Sequence, residues 1–109
     1  MARIIHPGEI LREEFMVPLD LPAARLAVAI GVSRQTVYEL LREERGITAD
    51  MALRLGRYFR MTPEFWLYLQ STYELRKARA RLADELDRIE ECELIENRDP
   101  DEEDDPIPA

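Results

Sequence analysis

The chain has 109 residues, 46% of them hydrophobic and 35% charged, with a formal net charge of −8. That length suits one domain with some chain to spare, and the single cysteine, Cys92, excludes a disulfide within the chain. The opening stretch MARIIHPGEILREEF carries charges early and has no long apolar run, so no secretory leader and no membrane span is expected, and the cytoplasm is the expected compartment.

The charge is unevenly placed. Residues 1–81 hold thirteen basic and ten acidic side chains, a net of +3, whereas residues 82–109 hold two basic and thirteen acidic ones, a net of −11. The acidity therefore belongs to the last quarter. Exposed charges further apart than a Debye length of about 8 Å are largely screened from one another, so an anion-facing surface on the first part is compatible with the acidic total.

Strand signals are poor: there is no alternating β-branched run and no Asn-Gly turn. Ala, Leu, Glu and Arg dominate, which predicts an all-α domain. In chain order, His6-Pro7-Gly8-Glu9 reads as a helix start, with proline in the first turn and an acid at the positive dipole end. Ile10, Leu11, Phe15 and Met16 follow at helical spacing, and Pro18 stops that helix. A second helix is expected from Pro22 to Ile30, closed by Gly31 in the left-handed conformation. Ser33 caps a third, whose inner face is Val37, Leu40 and Leu41. Thr48 caps a fourth, with Ala52, Leu55 and Phe59 on one stripe. Thr62-Pro63-Glu64 opens a fifth.

Leu75, Ala78, Leu82, Leu86 and Ile89 continue the apolar stripe of the fifth helix to about Leu94, with Asp84 and Arg88 as a supporting pair four residues apart. This late stripe has little sequence left to cover it. It is expected to fold back or to meet a second copy in a homodimer. The domain is placed at 1–96. The segment 97–109, NRDPDEEDDPIPA without its neighbours, is expected to be disordered, because carboxylates and prolines bury too little surface to offset chain entropy. It reads either as a solvated tail or as a polyanionic arm that docks on a basic partner or competes with nucleic acid.

The second and third helices are joined by Gly31, Val32 and Ser33, which is the helix-turn-helix spacing. With Val37, Leu40 and Leu41 turned inward, Gln35, Tyr38, Glu39 and Arg42 face out, and Arg34 and Thr36 flank them. Residues at the start of such a second helix reach base edges. Arg34 suits guanine, Gln35 adenine, Thr36 a thymine methyl, and Glu39 the amino group of cytosine. Arg42, Arg45 and the N–H groups near Ser33 suit phosphates. A polar outer face is also the ordinary surface of a helix in any bundle.

Taken together and in order, HPGEILREEF, LAVAIGVSRQTVYELL, RGITADMALRLGRYF and TPEFWLYLQ closely resemble the HigA-type antitoxins of the lambda-repressor-like helix-turn-helix superfamily, over roughly residues 6–77. The resemblance implies a five-helix domain that dimerises, represses its own operon at a palindromic double-stranded operator, and binds a HigB-type toxin, an mRNA-cleaving ribonuclease. Carried over by position, it assigns DNA reading to Ser33, Arg34, Gln35, Thr36, Tyr38 and Glu39. Phe65, Trp66 and Leu69 match the family's fifth-helix segment and are expected in the core. Two departures stand out. Pro22-Ala23 replace a capping residue and a glutamine, and Arg42-Glu43-Glu44 replace Asn-Gly-Lys. Both are expected to lower non-specific affinity, which depends on neutralised phosphates.

The competing readings are a free-standing transcriptional regulator with no toxin partner and a protein-interaction module built around the acidic arm. An enzyme is disfavoured. The only histidine, His6, and the only cysteine, Cys92, are far apart, no glycine-rich phosphate loop is present, and no Cys/His spacing suits a metal, so no cofactor is expected.

Overall fold

Four helices start at residues whose side chains close the first turn. His6 Nδ1 accepts from the Gly8 N–H at 2.9 Å, Ser33 Oγ from Thr36 at 3.0 Å, Thr48 Oγ1 from Met51 at 3.2 Å and Thr62 Oγ1 from Phe65 at 3.4 Å. Each cap contributes about 1 kcal/mol. Pro22 holds the same position before the second helix and offers no side-chain acceptor. The structure, a computed structural model, describes residues 3–95, so the segment 97–109 lies outside the described residues.

Among those residues the regular elements are all helical: α1 (Pro7–Ile10), running directly into a π-helical segment (Leu11–Met16), then α2 (Ala23–Ile30), α3 (Arg34–Leu41), α4 (Ala49–Phe59) and α5 (Pro63–Asp87). The regular first helix expected from the sequence thus widens at Leu11. Val17 N–H bonds to Arg12 O at 2.9 Å, five residues back, and the wider turn seats both Leu11 and Met16 in the core.

The layers are set by apolar stripes. Leu11, Leu26, Val37, Leu40, Ala52, Leu55 and Trp66 are enclosed in one core. Trp66 sits amid Phe15, Phe65 and Phe59, at centroid distances of 5.0, 5.2 and 6.2 Å. Phe65 and Leu69 pack half-buried on the same core, as expected. The Trp66 Nε1–H is buried without a partner, a cost of about 1–3 kcal/mol that the ring's burial outweighs.

The end of α5 differs from expectation. The helix stops at Asp87 rather than near Leu94, with Arg88 as its cap residue. Beyond the body nothing among the described residues covers its stripe: Leu86 is 46% and Ile89 68% exposed. Asp84 and Arg88 make no ion pair there. A helix end without burial or charge support frays early.

Candidate nucleic-acid interface

The joint between α2 and α3 is built by its backbone. Gly31 takes φ 74° and ψ 37°, the left-handed region that glycine enters without a Cβ penalty. Gly31 N–H then bonds Val28 O at 3.3 Å and Val32 N–H bonds Ala27 O at 3.0 Å, closing the carbonyls that α2 leaves open. Ser33 follows in extended backbone and starts α3 at once.

Two arginines hold this joint from behind. Arg54 of α4 donates from Nη1 to Ile30 O at 2.7 Å and to Gly31 O at 3.3 Å, while Asp50 accepts from its Nε at 2.5 Å. Arg12 donates from Nη1 to Leu41 O at 2.9 Å and holds the far end of α3. Sequence reasoning missed both. The four-residue spacing of Asp50 and Arg54 is a detectable signal, but the carbonyls they reach are far away in sequence.

With Val37 and Leu40 buried, α3 turns its other face out. Arg34, Gln35 and Tyr38 are exposed on its first two turns. Ser33 and Thr36 are taken up locally, with their hydroxyl oxygens 2.8 Å apart and Ser33 Oγ also accepting the Thr36 N–H. Glu39 is half-buried and faces Arg45, Oε1 to Nη2 at 3.5 Å. Arg42 caps the end of α3 and pairs with Glu44 at 3.2 Å. The eight residues thus divide into an exposed trio, a hydroxyl pair that shapes the helix start, and an ion-paired group at and beyond the helix end.

The Arg42-Glu43-Glu44 departure has a structural counterpart. Glu43 sits at φ 64°, the left-handed position for which glycine is the favoured residue. The two acids also line a cleft of about 440 Å³ between this loop and α5, together with His6, Arg45, Tyr73 and Lys77. Burial holds the His6 imidazole below its ordinary pKa, against the opposing influence of Glu43 and of a backbone hydrogen bond with Arg45. His6 is 3% exposed and meets the Tyr73 ring edge-on at 4.7 Å. Among the described residues, no helix is long and apolar enough to cross a membrane.

The exposed trio, on a helix locked to its predecessor through a glycine turn, is an arrangement suited to entering a major groove. Comparison with known proteins points the same way. A helix-turn-helix family model matches residues 11–66. Virulence-associated protein I of Dichelobacter nodosus is 54% identical over 74 residues, 68% of each chain. Antitoxin HigA-1 of Vibrio cholerae is 37% identical over 83 residues, 76% of this chain and 78% of that one. The solved structure of Pseudomonas aeruginosa antitoxin HigA with the higBA promoter superposes with a TM-score of 0.78 at 50% identity, covering 82% of this chain and 97% of that one. The chain therefore belongs to the helix-turn-helix family of DNA-binding regulators and, within it, to the HigA-type antitoxins of the lambda-repressor-like superfamily.

Proposed function

We propose that this chain is the antitoxin of a type II toxin–antitoxin pair: a cytoplasmic homodimer that represses its own operon by reading a double-stranded operator and that neutralises a HigB-type ribonuclease toxin. The observation that carries the reading is the exposure of Arg34, Gln35 and Tyr38 together on the first turns of α3, while Val37 and Leu40 on the opposite side are buried. Arg34 and Gln35 supply the bidentate contacts to guanine and adenine, Tyr38 an apolar ring edge, and Thr36 and Glu39 the secondary contacts. Ser33 presents the helix start, and Arg42 and Arg45 exchange their glutamate partners for phosphates on binding. The relative of known structure that was solved with its promoter supports the DNA partner.

Two copies would cover the apolar stripe of Leu75, Leu82, Leu86 and Ile89 and set two reading helices one duplex turn apart, about 34 Å. The carboxylate-rich last quarter of the chain suits a basic toxin, because opposite potentials speed and orient association.

The test is a gel-shift series on the DNA upstream of the gene. Changing Arg34→Ala together with Gln35→Ala is expected to weaken operator binding by about a hundredfold or more, since each bidentate pair is worth roughly 1–3 kcal/mol. The circular dichroism should not change. Undiminished binding would refute the assigned face. Co-expression with the adjacent gene product, followed by mass measurement, separates the antitoxin from a free-standing regulator. A regulator of unrelated genes would bind DNA and copurify with no toxin.

A further inference from the structure

The second half of α5 carries a collar of cations that the DNA-reading face does not use. Arg76, Lys77, Arg79 and Arg81 fall within six residues, separated only by Ala78 and Ala80, and all four are exposed. None of them makes an ion pair among the described residues. The carboxylates around the collar make no ion pair with it among the described residues. Glu74 accepts from Gln70 Nε2 at 3.0 Å, and Glu44, which shares the cleft beside Lys77 and Arg81, pairs with Arg42 at 3.2 Å. Glu43 lines the same cleft and makes no ion pair among the described residues. Asp84 and Glu85 follow Arg81 by three and four residues, on its side of the helix, and do not pair with it among the described residues. Lys77 lies over the Tyr73 ring, Nζ to centroid 5.0 Å.

Such a collar works against its own helix. Lys77 and Arg81 are like charges four residues apart, and Arg76 and Arg79 are like charges three apart, arrangements that destabilise a helix. Four cations within a Debye length of one another raise a joint potential that favours a polyanion over single counter-ions. The same chain supplies one. Asp99, Asp101, Glu102, Glu103, Asp104 and Asp105 put six carboxylates into seven residues. The span also fits. From Arg79 to Asp87 the helix rises roughly 12 Å. The eleven residues 88–98 between the helix end and Asp99 correspond to a root-mean-square reach of roughly 17–20 Å for a chain without regular structure, and residues 88–95 form neither helix nor strand. A linker matched to its span gives an effective concentration on the order of millimolar.

We propose that the acidic segment Asp99–Asp105 docks on the Arg76–Arg81 collar of its own chain and there competes with external polyanions, so that the protein's non-specific hold on nucleic acid is weakened from within. The inference does not depend on which residues read the operator. An unrelated duplex has to displace this segment before it reaches the collar.

Lys77 is the only lysine in the chain, which makes the docking directly readable. A zero-length carbodiimide applied to the full-length protein joins a carboxylate to an amine only where the two are already in contact. Trypsin then releases any product as Lys77–Arg79 amide-linked to the peptide Asp99–Ala109. That peptide pair is expected from the single-chain product at low salt and is expected to vanish at high salt. Coupling of Lys77 only to helix neighbours such as Glu74 or Asp84 overturns the proposal, as does a link found only in a covalent two-chain product.

A binding cycle checks the competition. The probe is a duplex of unrelated sequence. In the full chain, Asp101→Asn, Glu102→Gln, Glu103→Gln, Asp104→Asn and Asp105→Asn together are expected to raise affinity for it about tenfold at low salt and to steepen the salt dependence. With Arg76→Gln, Arg79→Gln and Arg81→Gln also present, the same five changes are expected to have an effect of less than about twofold. An equal effect in both backgrounds would mean that the segment acts through bulk charge, and the docking would be refuted.

Discussion

Arg54 binds the carbonyl oxygens of Ile30 and Gly31 at 2.7 and 3.3 Å, and so ties α4 to the turn that aims α3. A charged hydrogen bond to carbonyls at the end of a helix is worth about 1.5–3 kcal/mol. Arg54→Ala is therefore expected to lower stability by about 2 kcal/mol and to weaken operator binding further, through a loosened turn. Arg54→Lys reaches one carbonyl and should recover part of the loss. Urea unfolding alongside gel shifts would decide it; an operator affinity unchanged in Arg54→Ala would show that the turn holds its angle without this residue.

Gly8 lies where the start of α1 meets the end of α3. A Cβ there would stand 2.0 Å from the Leu40 carbonyl oxygen, so the backbones must separate for any side chain to fit. Gly8→Ala is expected to cost about 3 kcal/mol, at the upper end for overpacking, and to lower the melting temperature by more than about 10 °C for a domain of this size. A melting curve within a few degrees of the parent's would show that the contact is not tight.

Glu43 holds a left-handed backbone, φ 64°, just past α3. A non-glycine residue in that region carries roughly 1–2 kcal/mol of strain, partly offset by the greater unfolded-state freedom of glycine. Glu43→Gly should stabilise the fold by about 0.5–1 kcal/mol, seen as a higher urea midpoint at unchanged slope. A lower midpoint would indicate that the Glu43 carboxylate contributes more than its backbone costs.

His6 is buried and its pKa is held below the ordinary value by that burial. The folded state therefore keeps it neutral, while the unfolded chain takes up a proton below about pH 6.5. Because the unfolded state binds more protons in that window, the contribution is present above about pH 6.5 and is lost as pH falls through the folded-state value. His6→Asn keeps an acceptor at the helix start and removes the titration. Unfolding free energies measured from pH 7 down to 5 should decline for the parent and stay flatter for the variant. Parallel declines in the two proteins would assign the pH dependence to other groups.

The helix starts at Ser33, Thr48 and Thr62, the left-handed Gly31, the inward set of Val37, Leu40 and Leu41, and the outward Gln35, Tyr38 and Arg42 with flanking Arg34 were legible in the sequence, whereas Glu39, expected outward, is half-buried. Each follows from local rules: a cap residue, a glycine stop, or a 100° turn per residue. The π-helical widening at Leu11 and the end of α5 at Asp87 were not legible. The widening is forced by the need to seat Leu11 and Met16 in one core. The end of α5 reflects lost tertiary support for a stripe that continues in sequence.

The sequence by itself determined which helices form, which faces they bury, and that Arg34, Gln35 and Tyr38 point outward, because these depend on neighbours within a turn or two. Tertiary structure alone decided what holds those faces in place. Arg54 reaches back twenty-four residues to Ile30, Arg12 forward twenty-nine to Leu41, and Gly8 admits Leu40 only for want of a side chain. A carbonyl left open at a helix end accepts whichever donor the fold delivers to it, and no local periodicity records which donor that is.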